Sequence, residues 1–411
     1  MLADKPNLHK NIAYYLTLSL AFLLPFKLPV PDIIALLTLN WLIEGDFKNK
    51  FSKKAQQKYL LLFIAFYFIH LVALLYTTNI SEGLTALEVK LSILIFPLLF
   101  CTTAFSAQQV QFFLKAFIYG CLSAMLFCLL RAVYFYFTEG VNYFFYMDLS
   151  YFMHPGYFSM YLSVAAFILL FTLLNKNNSI IPSVTKVKYI LILVFITVFI
   201  LMLSAKLGII AYFFLAILIL LIEFISRKKY LWLLGSLFIS IGSLTATYQF
   251  VPSVHDRFSN LFSVGSNKEL DKTSSESTTV RILIWDAAQH IIKENFWLGV
   301  SPGDTNDKLY EEYKKRGYTG AYEHKLNAHN QYYQTFIGLG IVGFLLLLAQ
   351  LLFPFLFAVK NKKYSLLFFI LLISFNFFTE SILQTQSGVI FYAFFNSLFL
   401  FYDWKGLLIS D

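Results

Sequence analysis

Long runs of apolar residues alternate with short polar connections along almost the whole chain. A helix needs about 20 mostly apolar residues to cross the hydrocarbon of a membrane. Twelve stretches approach or meet this length and are predicted to be spans: 12–26, 30–44, 59–76, 87–105, 110–137, 153–174, 188–204, 208–225, 230–249, 329–357, 364–380 and 387–403. The first two are short, which suits a tilted, paired or partly interfacial helix. The pattern predicts an all-α polytopic membrane protein with about 12 transmembrane helices.

Composition supports this class. Of the 411 residues, 58% are hydrophobic and 13% are charged, whereas a soluble domain has about 25% charged residues. So little charge cannot cover a globular surface in water. The three cysteines, Cys101, Cys121 and Cys128, lie in apolar stretches without the spacing of a disulfide framework or a metal site. The first apolar run lacks a small-residue cleavage site, so we interpret it as an uncleaved helix rather than a signal peptide.

Basic residues collect in alternate short loops, within 45–58, 175–187, 226–229 and 358–363. The opposite short loops carry Glu82, Glu139 and Asp148 instead. The positive-inside rule then places both termini in the cytoplasm. The net charge of +9 is thus a topology signal, and a nucleic-acid partner is not expected.

The chain is predicted to be a single membrane domain with three stretches. Residues 1–249 form about nine spans, residues 250–328 form a large periplasmic loop between helices 9 and 10, and residues 329–411 form about three spans. Within the loop, the Ser- and Thr-rich segment 263–279 is expected to be mobile.

An amphipathic helix is predicted inside this loop. Ser277, Thr278 or Thr279 can cap it, and Gly299 is its expected stop. Apolar residues then recur at helical spacing on one face, at Val280, Ile284, Ala287 and Ile291. Such a helix is expected to lie against the membrane or the spans.

Ionisable residues near span ends are the first candidates for a functional site, because charge inside a membrane is costly. Four cations fall at the predicted outer face, with two histidines and a glutamate beside them: Lys90, Arg131, Lys206, Arg281, His154, His329 and Glu380. Some have simpler interpretations. Lys90 and Arg131 could snorkel to headgroups, His154 could mark the start of its span, and Glu380 could be a helix-end residue in water.

Clustered cations in low dielectric would hold an anion strongly, and Arg281 adds a helix N-terminus that also favours anions. A diphosphate is the natural ligand. The extracytoplasmic side lacks nucleotide sugars, so an activated sugar there would be carried on a lipid diphosphate. The residues therefore indicate glycan transfer from a polyprenyl-diphosphate donor.

Two segments carry a family resemblance. The first begins at Arg281 as RILIWDAAQHIIKENFWLGVSPGD and continues after a variable stretch as AHNQYYQTFIGLGIVG, ending at Gly343. The second, FNFFTESILQTQSGVIFYAFF, contains Glu380 and Gly388. An Arg followed four residues later by Trp, and then a His-Asn pair opening the next span, resemble the O-antigen ligase and O-antigen polymerase superfamily. His329, Asn330, Tyr333, Gly338 and Gly343 match its pattern.

This resemblance implies a metal-independent, inverting glycosyltransferase of the GT-C membrane type, without a cofactor. Arg281 and Lys206 would bind the donor diphosphate and His329 would activate the acceptor hydroxyl. The family has Arg where this chain has Lys206, and lysine keeps the charge but loses the planar fork that grips phosphate. Histidine suits the role of base because its ordinary pKa lies near neutral pH.

The remaining candidates complete the predicted site. Lys90 and Arg131 are assigned to donor binding, and Asn330, Tyr333, Glu380 and His154 to support. The expected partners are an undecaprenyl-diphosphate-linked glycan, a lipid A core or other glycan acceptor, and the lipid bilayer. The protein would lie in the bacterial inner (plasma) membrane with its active face in the periplasm.

The leading hypothesis is a ligase that moves the lipid-linked glycan onto the outer-leaflet acceptor, and three other functions stay open. A polymerase of lipid-linked repeats uses the same donor chemistry, so these motifs do not separate it from a ligase. A polysaccharide transporter would place charges near the bilayer midplane and show an internal repeat. A structural scaffold would tolerate changes at Arg281 and His329. The string Gly338-Leu339-Gly340-Ile341-Val342-Gly343 is not a nucleotide motif, because it lies within a predicted span.

Overall fold

The computed structural model describes residues 5–26, 30–51, 57–175, 182–250, 254–255, 270–275 and 278–404. Within these residues it contains seventeen α-helices and no strands. In chain order the helices are α1 (Lys5–Leu23), α2 (Val30–Glu44), α3 (Phe47–Lys50), α4 (Gln57–Ala73), α5 (Ile80–Thr102), α6 (Ala107–Glu139), α7 (Tyr146–Leu149), α8 (Pro155–Leu174), α9 (Ser183–Met202), α10 (Lys206–Ser226), α11 (Tyr230–Phe250), α12 (Thr278–Glu294), α13 (Thr305–Arg316), α14 (Thr319–Glu323), α15 (Gln331–Lys360), α16 (Tyr364–Phe377) and α17 (Gln386–Phe401). The predicted all-α polytopic membrane fold is confirmed.

Each predicted span coincides with one helix. In the described part of the chain, seven helices are long and apolar enough to cross a membrane, namely α5, α6, α8, α9, α10, α11 and α15. Three shorter apolar helices, α4, α16 and α17, correspond to further predicted spans. The total of twelve stays a prediction, because α1 and α2 belong to neither group.

By contacts the chain divides into two units that interleave along the sequence. Unit 1 comprises Met1–Lys50, Thr102–Arg257 and Leu398–Asp411, and unit 2 comprises Phe51–Cys101 and Phe258–Ser397. In unit 1, α6 packs on α1 and α8, and α8 packs on α9 and α10. In unit 2, α15 packs on α4 and α16, and the loop helices α12 and α13 pack on each other and on α15. The predicted division into 1–249, 250–328 and 329–411 stays a prediction.

The loop helix α12 confirms the periodicity of the sequence. Its buried face consists of Val280, Leu283, Ile284, Ala287, Ala288 and Ile291, and this face packs with Leu309 and Tyr313 of α13 into one apolar core. The helix ends at Glu294, five residues before Gly299, so the predicted stop at Gly299 is wrong. The candidate cap Ser277 and residues 263–269 and 276–277 of the predicted mobile segment lie outside the described residues.

Gly299 belongs instead to the segment 296–300, which packs against a break in α15. Gly340 has φ 61° and ψ −162°, a conformation open essentially to glycine alone, and a Cβ there would lie 2.3 Å from the Trp297 carbonyl oxygen. The segment 296–300 fills the break: Ile341 N–H donates to Phe296 O at 2.9 Å, and Val300 N–H donates to Ile337 O at 2.8 Å. Backbone groups freed within a span need such partners.

Lys90 corrects another prediction. The span expected at 87–105 would place Lys90 at its outer end, but α5 begins at Ile80. Asp304 holds the turn that precedes this helix, since its carboxylate accepts the N–H groups of Thr78 and Asn79 at 2.8 Å each. Lys90 therefore lies halfway along α5 and is only 2% exposed, so it does not open the span or snorkel to a surface.

Candidate functional site

The junction between the loop and α15 holds His329 in an unusual backbone conformation. His329 has φ 42°, a region in which few residues other than glycine are found and which occurs often at active sites. Its N–H donates to Asn327 Oδ1 at 2.9 Å. The next residue, Asn330, is the N-cap of α15, and its side chain accepts the Tyr333 N–H at 3.0 Å. His329 thus lies at the start of a span, as predicted, with its backbone held by Asn327.

The turn after α16 is bound to this same helix start. Asn330 donates from its backbone N–H to Ser381 Oγ at 3.3 Å and from its side chain to Phe378 O at 3.1 Å. Gln331 accepts the Leu383 N–H at 2.7 Å. Glu380 lies between these contacts, so its carboxylate is held next to His329.

Glu380 bridges the two residues predicted to be catalytic. Arg281, in the first turn of α12, brings Nη2 to 3.1 Å from Glu380 Oε1, and His329 Nδ1 lies 3.5 Å from Glu380 Oε2. The second distance is that of an ion pair and exceeds a good hydrogen bond. Arg281 Nε and His329 Nδ1 are buried and have no hydrogen-bond partner within the described residues. The cluster is partly open, with side-chain exposures of 30% for Arg281, 16% for Glu380 and 27% for His329.

Aromatic and polar contacts orient α12 over the cluster. Trp285 donates from Nε1 to Ala328 O at 3.2 Å, just before His329. The Tyr333 ring lies 6.2 Å from that of Trp285, and its hydroxyl accepts from Gln289 Nε2 at 3.0 Å. Tyr333, predicted as supporting, therefore joins α12 to α15.

Asp304 ties the loop to the membrane helices of unit 2. It is 5% exposed, and its carboxylate also accepts the Thr78 hydroxyl at 2.7 Å. Burial raises the pKa of this carboxyl, but the hydrogen bonds from Thr78 and Asn79 outweigh burial and hold the pKa below its ordinary value. The loop is thereby anchored to the turn before α5.

Next to the turn that carries Glu380, Lys90 faces a small internal cavity. Its Nζ lies 3.4 Å from Gln384 Oε1, and Gln384 belongs to the turn that carries Glu380. The cavity is lined by His70, Lys90, Pro302, Thr305, Gln334, Thr335, Gly338, Leu339 and Gln384. His70 is buried, with Nδ1 2.7 Å from Phe66 O. Sequence reasoning missed His70, Ser381 and Gln384, which no local pattern distinguishes from other polar residues within or between apolar helices.

The other three predicted residues lie in unit 1. Arg131 donates to Asp148 O at 2.7 Å, and its guanidinium lies 5.0–5.2 Å from the ring centroids of Phe135, Tyr143 and Tyr151. His154 is the N-cap of α8 and accepts the Gly156 N–H at 3.2 Å.

Lys206 begins α10, in the tight turn predicted after α9. A Cβ added to Gly208 would lie 2.0 Å from Ser159 Oγ, so the first turns of α8 and α10 are adjacent. Lys206 and His154 therefore share one end of unit 1.

This fold and site define the class of the protein. It is an all-α polytopic membrane protein in which a loop helix brings an arginine to a glutamate and a histidine at the start of a span. In the part of the chain that the structure describes, no group of three or more His, Cys, Asp or Glu side chains could hold a metal ion.

Residues 190–348 match the family model of the O-antigen ligase. The match supports the family predicted from the motifs, that of the O-antigen ligases and polymerases, and ligase-type glycosyltransferase activity in general. The matched stretch contains Lys206, Arg281, His329, Asn330 and Tyr333. The family implies lipid-linked glycan substrates and a membrane environment. No curated relative matches the chain significantly.

Proposed function

We propose that the protein transfers a glycan from an undecaprenyl-diphosphate carrier to an outer-leaflet acceptor such as a lipid A core. The loop of unit 2 would face the periplasm of a bacterial inner membrane, and the architecture would be of the GT-C type. The observation that carries this proposal is the bridge that Glu380 makes between Arg281 and His329.

His329 would act as the general base. Glu380 beside Nδ1 favours the tautomer that carries its proton there, which leaves the Nε2 lone pair for the acceptor hydroxyl. As the acceptor oxygen bonds to the anomeric carbon, its proton passes to His329 Nε2. The bond from that carbon to the diphosphate oxygen breaks, and the diphosphate leaves with the electron pair.

Arg281 would stabilise the leaving diphosphate. One Nη2 contact is used by Glu380, while Nε is without a hydrogen-bond partner among the described residues and the side chain is partly exposed. A guanidinium has five donors in a planar fork, so several remain for phosphate oxygens as negative charge develops. Donor binding by Lys206, Lys90 and Arg131 remains a prediction.

Replacement of His329 by Ala tests the mechanism. We expect glycan transfer in proteoliposomes to fall at least about 100-fold, the usual contribution of a positioned base. His290→Ala is the matched control, since His290 also lies in the loop region beside two carboxylates, 3.3 Å from Glu312 and 3.6 Å from Glu294. Undiminished transfer by the inserted His329→Ala protein would overturn the mechanism.

A deletion in the native host separates ligase from polymerase. The ligase predicts that long glycan chains disappear from the surface and accumulate on the polyprenyl carrier. Surface acceptors that carry single repeats, with no long chains on the carrier, would instead identify the polymerase. Unchanged glycan in both pools would contradict the proposal.

A further inference from the structure

A basic groove lies at the end of unit 1 opposite to His154 and Lys206. It is lined by Lys115, Ile118 and Tyr119 of α6, Leu169 of α8, and Tyr189 and Ile192 of α9. These residues lie near the start of α6, the end of α8 and the start of α9. Arg227, at the end of α10, donates to the carbonyl oxygen of Leu174, the last residue of α8, so the end of α10 lies at this same end of unit 1.

The cations of the groove have no acidic neighbours on the helices that form it. No Asp or Glu occurs in the sequence from 107 to 138, from 155 to 174 or from 183 to 202. On the adjoining α10, Glu223 is ion-paired with Arg227. Lys188 donates to the Tyr119 hydroxyl at 3.3 Å and lies 5.6 Å from the centre of its ring, which leaves the charge itself without a counter-ion among these helices.

The depth of the two lysines suits a lipid headgroup. Lys115 lies eight residues into α6, about 12 Å along its axis, and Lys188 lies five residues into α9, about 7.5 Å. Lys115 Nζ lies 5.7 Å from the centre of the Phe112 ring, one turn nearer the helix start. The ammonium therefore bends back toward the water, as lysines do at a membrane interface, while Ile118, Leu169 and Ile192 leave an apolar wall beyond it.

We propose that this groove binds an anionic phospholipid. The headgroup phosphate would lie between Lys115 and Lys188, with the Tyr119 and Tyr189 hydroxyls as further donors, and an acyl chain would lie along the apolar wall. Basic pockets between transmembrane helices bind phosphate headgroups in this way. The lining has one amine, two phenols and otherwise apolar side chains, and the second amine, that of Lys188, lies beside it on the Tyr119 hydroxyl; this set suits a phosphate and a hydrocarbon chain better than a sugar-bearing headgroup.

The test measures lipid retention by native mass spectrometry of the full chain in detergent, titrated with phosphatidylglycerol or with phosphatidylcholine of the same acyl chains. Wild type is expected to retain phosphatidylglycerol preferentially. The double variant Lys115→Gln/Lys188→Gln should bind it about 30-fold more weakly, since each basic residue near an anionic surface contributes about a factor of five. Phosphatidylcholine retention should not change.

Lys58→Gln is the matched control, because Lys58 lies over an aromatic ring in the same manner, 5.2 Å from the centre of Tyr59, but belongs to unit 2. It should retain phosphatidylglycerol as wild type does. Equal retention of the two lipids by wild type, or unchanged phosphatidylglycerol affinity in the double variant, would overturn the proposal. If the double variant is not recovered folded, each single variant is expected to lose about fivefold.

Two further ligands separate the possible sources of the phosphate. Inorganic phosphate alone should not protect the protein against thermal unfolding, and protection that equals that of phosphatidylglycerol would indicate a soluble anion site instead. Polyprenyl diphosphate that displaces phosphatidylglycerol from wild type at equal concentration would identify a donor-lipid site and reject the phospholipid assignment. Either result leaves the proposed role of His329 untouched.

Discussion

Two regions of the molecule present the same residue types with different surroundings. In unit 2, Arg281 and His329 meet the carboxylate of Glu380 at 3.1 and 3.5 Å. In unit 1, Arg131 is surrounded by three aromatic rings and a carbonyl oxygen, and His154 caps a helix. The sequence marked all four for the same reason, an ionisable side chain at the predicted outer face of the membrane.

What distinguishes the regions is how the polar atoms are satisfied. Arg131 and His154 make short contacts that stabilise their own unit. Arg281 Nε and His329 Nδ1 are buried without hydrogen-bond partners in the described part of the chain, and His329 is held at φ 42°. Unsatisfied buried groups and backbone strain cost stability, and a phosphate that accepts from Arg281 would recover part of that cost.

The largest expected effect comes from exchanging each arginine for alanine. Arg281→Ala should lower glycan transfer about 10²- to 10³-fold, the usual cost of removing a preorganised donor from a developing anion. Arg131→Ala should leave transfer within a few fold and lower the free energy of unfolding by about 1–2 kcal/mol, because its cation–π contacts are lost. Transfer kinetics and thermal unfolding of both variants measure this.

The opposite result for Arg131 would place the functional arginine in unit 1. Loss of transfer in Arg131→Ala at unchanged stability would support the donor-binding role predicted for Arg131 from the sequence. Arg281→Lys sharpens the result further: it keeps the charge, so a loss of transfer in this variant would show that the planar fork of the guanidinium is required.

A smaller effect is expected at Asp304, which anchors the loop of unit 2. Asp304→Asn should raise the rates of hydrogen exchange at the Thr78 and Asn79 amides about 30-fold. Hydrogen bonds to a charged group contribute about 2 kcal/mol, and this variant loses the charge. Asp307→Asn is the control, because Asp307 is more exposed and accepts only the Asn79 side-chain amide, at 3.0 Å. Equal exchange rates in the two variants would contradict the anchor.

The same carboxylate predicts a pH dependence. The pKa of Asp304 is lowered in the folded protein, so its contribution is present above the unfolded pKa of about 3.9 and is lost as the pH falls through the folded value. Protection of Thr78 and Asn79 should therefore decrease below about pH 4 in wild type, and Asp304→Asn should remove that dependence.

The sequence predicted the features that depend on local pattern. Hydropathy located the helices, and the spacing of Val280, Ile284 and Ile291 located α12. Features set by distant residues were missed: Asp304, more than 200 positions away, binds the turn before α5, and because α5 begins at Ile80, Lys90 lies halfway along it and is buried rather than at a span end. The helix α13 escaped notice since its sequence is mostly polar and only Leu309 and Tyr313 show an apolar face.

The site shows the same limit. Motif resemblance selected Arg281, His329 and Glu380 one by one, but nothing in their spacing indicated that one carboxylate would meet both partners. That arrangement depends on Asn330 and Gln331 holding the turn after α16. Likewise, the aromatic residues around Arg131 come from three separate positions, two of them outside its helix, which a reading of α6 alone does not associate.

The smallest expected effect tests whether His154 is a cap or a functional histidine. His154→Ala should lower the free energy of unfolding by about 1 kcal/mol, because the Gly156 N–H loses its acceptor. His154→Asn should restore that stability, since asparagine is among the best N-cap residues, and both variants should transfer glycan at the wild-type rate. If His154→Asn is as stable as wild type but loses transfer, the imidazole has a role in the reaction that a cap cannot explain. Both regions would then take part in the reaction, and they would differ only in how completely their polar atoms are hydrogen-bonded.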